Sequence, residues 1–564
     1  MLSTQLNDLS CTACKARKVR CNRVKPRCDR CETRGIDCCY PKRVKRQTAR
    51  EKRGSLSHGS RNNTVLSTIL GRLQRLEEQS TSNYSHGTPD PTATSASAVS
   101  ATPSSHVDSD KSPVSISPVT RADPSKILED AIDQMRRFKL QFYSRQFITG
   151  TIHIPTDLAK QWLHNYFARN SNDLFRSLVN RQLIEIIPDI IDLPHVYLDP
   201  VVLILYFAIL YIGCVFNANN LHASQVSHYA TSCYLACLRA LPYWQREVQG
   251  STMDFVAALF MAQVALLCSD DDLAWQMHQH TCDFARALNL HNLDGGDYAG
   301  FRDEARSDED RQGFWQLIQI DLFIRLVLNK PPVITADTWK VNLPWLNNSQ
   351  PPPGDIHATA FIIHSRITLI VMHFFALLDT QDGMEIDRAQ RCAEDRSHEI
   401  KTLLLEWQAG DWLVAPSTNK DDDFTKIDVV ITGYTFIIFM LRKVGIIGPH
   451  LTSSPAETPQ FSSTLVLEAS RRVIELSIDL CYMFPYPEGL SMVLVYYRID
   501  IATALLYSHV LYSTDDPAIV EDMERLGNLS RCVCSIAHGC RELTPISRAV
   551  ETLNRMMTDQ GVSA

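Results

Sequence analysis

Six cysteines between Cys11 and Cys38 are spaced C-x2-C-x6-C-x6-C-x2-C-x6-C, and the pattern maps onto itself with an offset of seventeen: Cys11 with Cys28, Cys14 with Cys31, Cys21 with Cys38. A C-x2-C pair can turn two thiolates onto one cation, and a third thiolate six residues on completes most of a tetrahedron. Each half of the repeat is then one ligand short. Two tetrahedral zinc ions present eight ligand positions, so six thiolates suffice only if two of them bridge both metals. The simplest closed solution is a binuclear zinc cluster held by Cys11, Cys14, Cys21, Cys28, Cys31 and Cys38. With thiolate at every position no site is left open to activate water, so the zinc is expected to be structural. A segment this small lacks a core of its own, and metal binding would supply its folding free energy.

The two halves carry opposite charge. Lys15, Arg17, Lys18 and Arg20 lie between Cys14 and Cys21, whereas Glu32, Arg34 and Asp37 lie between Cys31 and Cys38. Only the first half suits a polyanion, and Arg17 and Lys18 are long enough to reach guanine O6 and N7 in a major groove. The competing reading is a zinc knuckle that mediates protein contacts with its lysines merely solvated.

The run Cys11-Thr-Ala-Cys14-Lys-Ala-Arg-Lys18-Val-Arg-Cys21, with Pro26, Cys28-Asp-Arg-Cys31 and Cys38 behind it, resembles the fungal binuclear zinc cluster transcription factors. The resemblance implies two Zn(2+) ions bridged by Cys11 and Cys28. It also implies that Lys18 reads the guanines of CGG triplets in double-stranded DNA, supported by Arg17 and Arg20, with Pro26 in the loop between the halves. Cys39 falls outside the pattern and is expected to be a bystander thiol.

Net charge is −7 over 564 residues, but residues 11–53 hold sixteen Lys or Arg against four Asp or Glu. The remainder therefore has forty basic residues against fifty-nine acidic ones. Such a basic head on an acidic body favours a terminal DNA-binding module. Of the seventeen cysteines, the ten from Cys214 onward show no second C-x2-C, so neither a disulfide framework nor another zinc site is signalled. Met1 to Ser10 is polar and shows no secretory signal. Val201 to Phe216 is apolar throughout, yet shorter than the roughly twenty residues a bilayer span requires. It reads as a buried helix, and no membrane association is expected.

The expected organisation is a zinc cluster DNA-binding domain at 11–39, a basic linker at 40–63, a short candidate coiled coil at 64–79, a disordered linker at 80–125 and an all-α body at 126–560. In the basic linker Lys42, Arg43, Lys45 and Arg46 read as a nuclear localisation signal, a further phosphate contact, or both. Leu66, Ile69, Leu73 and Leu76 mark an a/d seam, which fits either a homodimerising coil or a helix docked on the body. Twenty-five of the forty-six residues from Ser80 to Ser125 are Ser, Thr or Pro, too little apolar surface to offset chain entropy.

From Ile127 onward, helix-length apolar segments recur, among them 127–147, 201–216, 253–267, 275–290, 312–328, 358–378, 389–407, 427–444, 463–483 and 491–512, and strand alternation is nearly absent. The segments around Cys282–His291 and Arg311–Arg325, running to Pro331-Pro332, resemble the same family's fungal-specific regulatory domain, with Asn329-Lys330 where that family has Gly-Arg. Phe314 and Trp315 are expected in the core, and Asp321 with Arg325 as an i,i+4 ion pair. No phosphate-binding glycine loop, H-E-x-x-H helix or G-x-S-x-G elbow occurs in the body, so no enzyme is expected. His278, His280 and His291 near Cys282 form no fixed metal motif and are expected to be ordinary satisfied or exposed histidines.

The expected function is that of a zinc-dependent, sequence-specific regulator of RNA polymerase II transcription in the nucleus. An activator, acting on a specialised-metabolite gene cluster, is preferred over a repressor or a regulator of nutrient catabolism or drug resistance. Expected partners are CGG-containing DNA, a second copy of the chain, coactivators and a small-molecule effector of the helical body.

Overall fold

The computed structural model of the chain describes residues 11–17, 19, 21–24, 27–39, 123–168, 175–216, 221–295, 304–335, 338–344, 355–379, 386–413, 419–445, 464–513 and 516–561. The chain divides into two compact units, residues 1–111 and 112–564. The basic linker, the candidate coil and nearly all of the Ser/Thr/Pro-rich segment lie outside the described residues.

Among the described residues the first unit contains two short helices, α1 (Thr12–Ala16) and α2 (Asp29–Glu32). The second contains α3 (Pro124–Thr149), α4 (Thr156–Ala168), α5 (Arg181–Ile190), α6 (Pro200–Phe216), α7 (Ala223–Glu247), α8 (Thr252–Leu267), α9 (Asp271–Ala287) and α10 (Glu304–Val327). It continues with α11 (Ile356–Asp379), α12 (Ile386–Glu406), α13 (Lys420–Lys443), α14 (Thr464–Met483), α15 (Pro487–Tyr496), α16 (Ile499–Tyr512), α17 (Ile519–Ala537) and α18 (Thr544–Gly561). No strand forms among the described residues. The architecture is therefore a small cysteine-rich unit and a large all-α body.

Local chemistry explains where these helices begin. Asp123 caps α3 by accepting from the Ser125 N–H at 2.9 Å, and Pro124 occupies the first turn, where a missing N–H costs nothing. Leu128, Ala131, Ile132 and Met135 then bury one face of that helix at i, i+3, i+4 and i+7. At α8, Ser251 and Asp254 form a reciprocal capping box. Burial alone would raise the Asp254 carboxyl, but hydrogen bonds from Ser251, Trp244 and Gln249 outweigh it and hold it below the usual range. The acidic runs at Asp270–Asp272 and Asp421–Asp423 are helix starts, with Asp270 and Asn419 as caps. Arg442 and Lys443 close α13 at its negative pole.

The core sits where α6 packs between α4, α7 and α8, while α11 to α14 and α16 to α18 extend the same hydrophobic cluster. Thirteen consecutive-turn positions of α6 are buried from Pro200 to Val215, as expected for a core helix rather than a span. Gly213 marks its closest approach to α4: a Cβ there would meet the Trp162 carbonyl oxygen at 2.9 Å.

Two other helices, α11 and α13, are long and apolar enough to cross a bilayer by length and composition. They pack on each other and on α12 and α14. Their first halves are joined by polar pairs: His357 Nε2 with Asp422 at 3.2 Å, Thr425 Oγ1 with His357 Nδ1 at 3.2 Å, and His364 Nε2 with Asp428 at 3.7 Å. Polar pairs at each turn are spent on holding neighbouring helices together, which a lipid-facing surface would not repay.

The segment expected as one helix from Ser491 to Tyr512 is two, α15 and α16, bent by 76°. The break is at Arg498, whose φ of 45° is left-handed and whose guanidinium is clamped by Asp500 through contacts of 3.0 and 2.9 Å. The pair expected between Asp321 and Arg325 does not form. Arg325 turns instead to Asp379 at 2.6 Å and stacks 3.7 Å over the Phe375 ring. Asp321 is buried, accepts from the backbone N–H groups of Val333 and Ile334 at 3.2 and 3.3 Å, and lies 2.9 Å from His278 Nε2. It thereby pins the Pro331-Pro332 turn back onto α10.

That turn also accounts for Asn329. Its φ is 50°, a conformation that glycine adopts freely and that asparagine tolerates best among the other residues. Asn329→Gly is therefore expected to leave the thermal midpoint of the helical body nearly unchanged, whereas the β-branched Asn329→Val should destabilise it by about 1–2 kcal/mol. Differential scanning fluorimetry of the full chain checks this pair.

Candidate metal centre and nucleic-acid interface

The seventeen-residue repeat is visible in the backbone. The Lys15 N–H donates to the Cys11 carbonyl and the Glu32 N–H to the Cys28 carbonyl, both at 3.0 Å. The Val19 and Ile36 N–H groups donate to Cys14 and Cys31 at 3.1 and 3.0 Å. Each pair is related by the same offset, so two copies of one turn-and-helix unit face each other. Cys11 heads α1 and accepts from the Cys14 N–H at 3.4 Å; Cys28 heads α2. The unit is closed by Thr12, whose N–H and hydroxyl both donate to the Cys39 carbonyl at 2.9 and 3.1 Å. Asn22 Oδ1 accepts from the Asp29 N–H at 3.3 Å and steadies the start of the second half. Neither closure carries a spacing signature.

This geometry brings the six sulfurs into two sets of four. Cys11, Cys14, Cys21 and Cys28 form one, and Cys11, Cys28, Cys31 and Cys38 the other, the ligand atoms in each set lying within 4.8 Å of one another. Cys11 and Cys28 belong to both. Four thiolates about 2.3 Å from a tetrahedral zinc stand about 3.8 Å apart. The sulfurs of Cys11 and Cys28 are 3.8 Å apart, and those of Cys11 and Cys31 and of Cys14 and Cys28 are each 3.7 Å apart. These separations fit zinc and are far too long for disulfides, and all six thiols are free.

The sulfurs also substitute for a core. Five of the six cysteines are buried, and the only apolar neighbours packed on them among the described residues are Ala13 and Val19. Burial pushes the thiols of Cys11, Cys14, Cys28 and Cys31 upward, and a bound dication would favour their thiolate forms. Cys39 is exposed and belongs to neither set.

On the first half, Lys15 and Arg17 are exposed at the C-terminal end of α1. Lys18 and Arg20, and the localisation residues Lys42, Arg43, Lys45 and Arg46, lie outside the described residues. On the second half, Arg27 and Asp37 stand 3.7 Å apart with both side chains largely exposed, a pair that contributes little.

In the body, Phe314 and Trp315 are buried, Trp315 donating its indole N–H to the Asn342 carbonyl at 3.1 Å. His278, Cys282 and Asp321 come together in the core as three potential ligands. The Asp321 carboxylate is already committed to two backbone N–H groups and to His278, so the cluster reads as a turn clamp. His280 stacks on Phe284 and His291 is outside the cluster, so the three histidines do not converge.

If Cys28 serves both sulfur sets, Cys28→Ser should lose both zinc ions, while Cys39→Ser retains two. Zinc release quantified with a chromogenic chelator, per mole of chain, separates these outcomes.

Comparison with known proteins agrees with this geometry. Residues 9–47 match the fungal Zn(2)-Cys(6) binuclear cluster domain, a domain that binds two zinc ions, and residues 165–376 match the fungal specific transcription factor domain. Transcription factor tazR of Aspergillus terreus is 37% identical over 78 residues, 14% of this chain and 10% of that protein's length. Both matched domains are those of transcription factors rather than enzymes. With the two-zinc cysteine cluster domain matched at its head and the fungal specific transcription factor domain matched in its helical body, the chain matches a fungal binuclear zinc cluster transcription factor.

Proposed function

We propose that the chain is a nuclear activator of RNA polymerase II transcription that selects CGG triplets through its zinc cluster. In this reading Cys11 and Cys28 bridge the two ions, and Cys14, Cys21, Cys31 and Cys38 complete the shells. Lys18 contacts the guanines, with Arg17 and Arg20 supporting it and Lys15 on phosphate. The single observation that carries the reading is the pair of four-sulfur sets sharing Cys11 and Cys28, directly next to exposed Lys15 and Arg17. A cluster that rigidly presents a cationic turn is suited to base-edge contacts, because phosphate contacts fix register and base contacts then specify sequence.

The remaining parts serve that reader. Lys42, Arg43, Lys45 and Arg46 direct nuclear entry, residues 64–79 pair two copies so that two clusters meet paired triplets, and residues 80–125 tether them to the body. The body recruits coactivators and responds to a small-molecule effector. Regulation of a specialised-metabolite gene cluster is the pathway we assign.

The test is discrimination. Lys18→Ala should cost about 1–3 kcal/mol on CGG duplexes and relax preference, while Lys15→Ala should weaken CGG and scrambled duplexes alike. Fluorescence anisotropy at fixed salt measures both, and an equal loss on scrambled and CGG duplexes for Lys18→Ala would refute the assigned base contact.

A further inference from the structure

The helical body contains a partly open cavity of about 280 Å³, where the first halves of α11 and α13 meet α4, α6, α8, α10 and α15. That is at the small end of ligand pockets. One part of the wall is aromatic. Phe216 and Phe424 meet edge to face at 5.4 Å, and Tyr166 and Phe260 do so at 6.3 Å. Rings of this cluster already hold cations: Arg176 stacks 5.6 Å over Tyr166, and Lys420 lies 4.6 Å over Phe484, which itself packs on Phe216 and Phe424.

The other part of the wall is polar and acidic. Asp421 and Asp428 line it, and no Lys or Arg does among the described residues. Its hydrogen bonds are incompletely made. His357 is satisfied at both nitrogens by Asp422 and Thr425. Asp428 accepts the Tyr497 hydroxyl at 2.7 Å through Oδ1, while its Oδ2 lies 3.7 Å from His364 Nε2, too far for a hydrogen bond. His364 Nε2 and Gln319 Nε2 are buried with no hydrogen-bond partner. Buried polar atoms are almost always paired, so two unpartnered ones beside the partly exposed Asp428 carboxylate call for a polar guest.

We propose that this cavity binds a small organic ammonium ion that also carries a hydrogen-bond acceptor. The ammonium group donates to Asp428 Oδ2, where two aspartates, with no Lys or Arg in the wall among the described residues, select positive charge. The apolar body of the ligand lies against the aromatic rings, whose faces attract a cation, and the acceptor takes the Gln319 amide N–H. The inference gives the regulatory role of the body its ligand chemistry and rests on that reading for its biological meaning. Binding itself is measured without DNA, so the two fail separately.

The probes are three molecules of one skeleton: tyramine, its neutral counterpart tyrosol and its anionic counterpart 4-hydroxyphenylacetate. Each is titrated calorimetrically into the zinc-loaded full-length chain. Tyramine should bind about ten-fold or more tightly than tyrosol, the worth of one charge-assisted hydrogen bond, and 4-hydroxyphenylacetate should not bind. Asp428→Asn should bring tyramine down to the level of tyrosol. Ala360→Phe, which fills the cavity and leaves every carboxylate in place, should abolish tyramine binding with helix content retained by circular dichroism. Failure of tyramine to bind at millimolar concentration, binding of the anion as tight as that of tyramine, or undiminished binding by Ala360→Phe would each overturn the proposal.

Discussion

Sharing of two sulfurs between two cation sites is the interaction on which the N-terminal unit depends. Ala13 and Val19 are too little apolar surface to fold thirty residues, so the cohesion that a core would give must come from the metals. Because Cys11 and Cys28 belong to both four-sulfur sets, neither half closes alone. The duplicated turns, with their matched hydrogen bonds, are what aim both C-x2-C pairs at common ground. The exposed Lys15 and Arg17 sit at the end of the helix that carries Cys14, so the proposed DNA contacts would depend on the same metal-held unit.

The helical body rests on a different balance. Its core is extensive and apolar, and at a few places polar side chains decide how the helices join. Asp321 gathers the turn after α10 by accepting two backbone N–H groups, and it can do so because Asn329 lets the chain reverse in a left-handed conformation. His357 and Asp422 lock α11 to α13, two helices whose hydropathy alone would suit a bilayer. Around these joints lies a cavity in which carboxylates, amides and aromatic rings share a wall.

The cluster was the most legible part of the sequence, since thiolate spacing and tetrahedral coordination leave few closed solutions. The all-α body was legible from apolar periodicity. Helices with mixed faces, such as α4, α7, α17 and α18, were not, because their burial is set by partners distant in sequence. The kink at Arg498 was hidden for a similar reason: the clamp by Asp500 and the left-handed φ carry no glycine or proline marker inside an apolar run. Asp321 was misassigned to Arg325 because i,i+4 spacing reports proximity on a helix, whereas a buried carboxylate goes to the donors that neutralise it best, here backbone N–H groups brought by the following turn. The cavity had no sequence signature at all, its walls coming from seven helices.

Zinc-edge X-ray absorption on the full-length chain probes the shared-sulfur cluster most directly. The account predicts a first shell of four sulfurs at about 2.3 Å with no nitrogen or oxygen, and a second shell containing another zinc. A first shell with nitrogen or oxygen ligands, or zinc with no zinc neighbour, would contradict it.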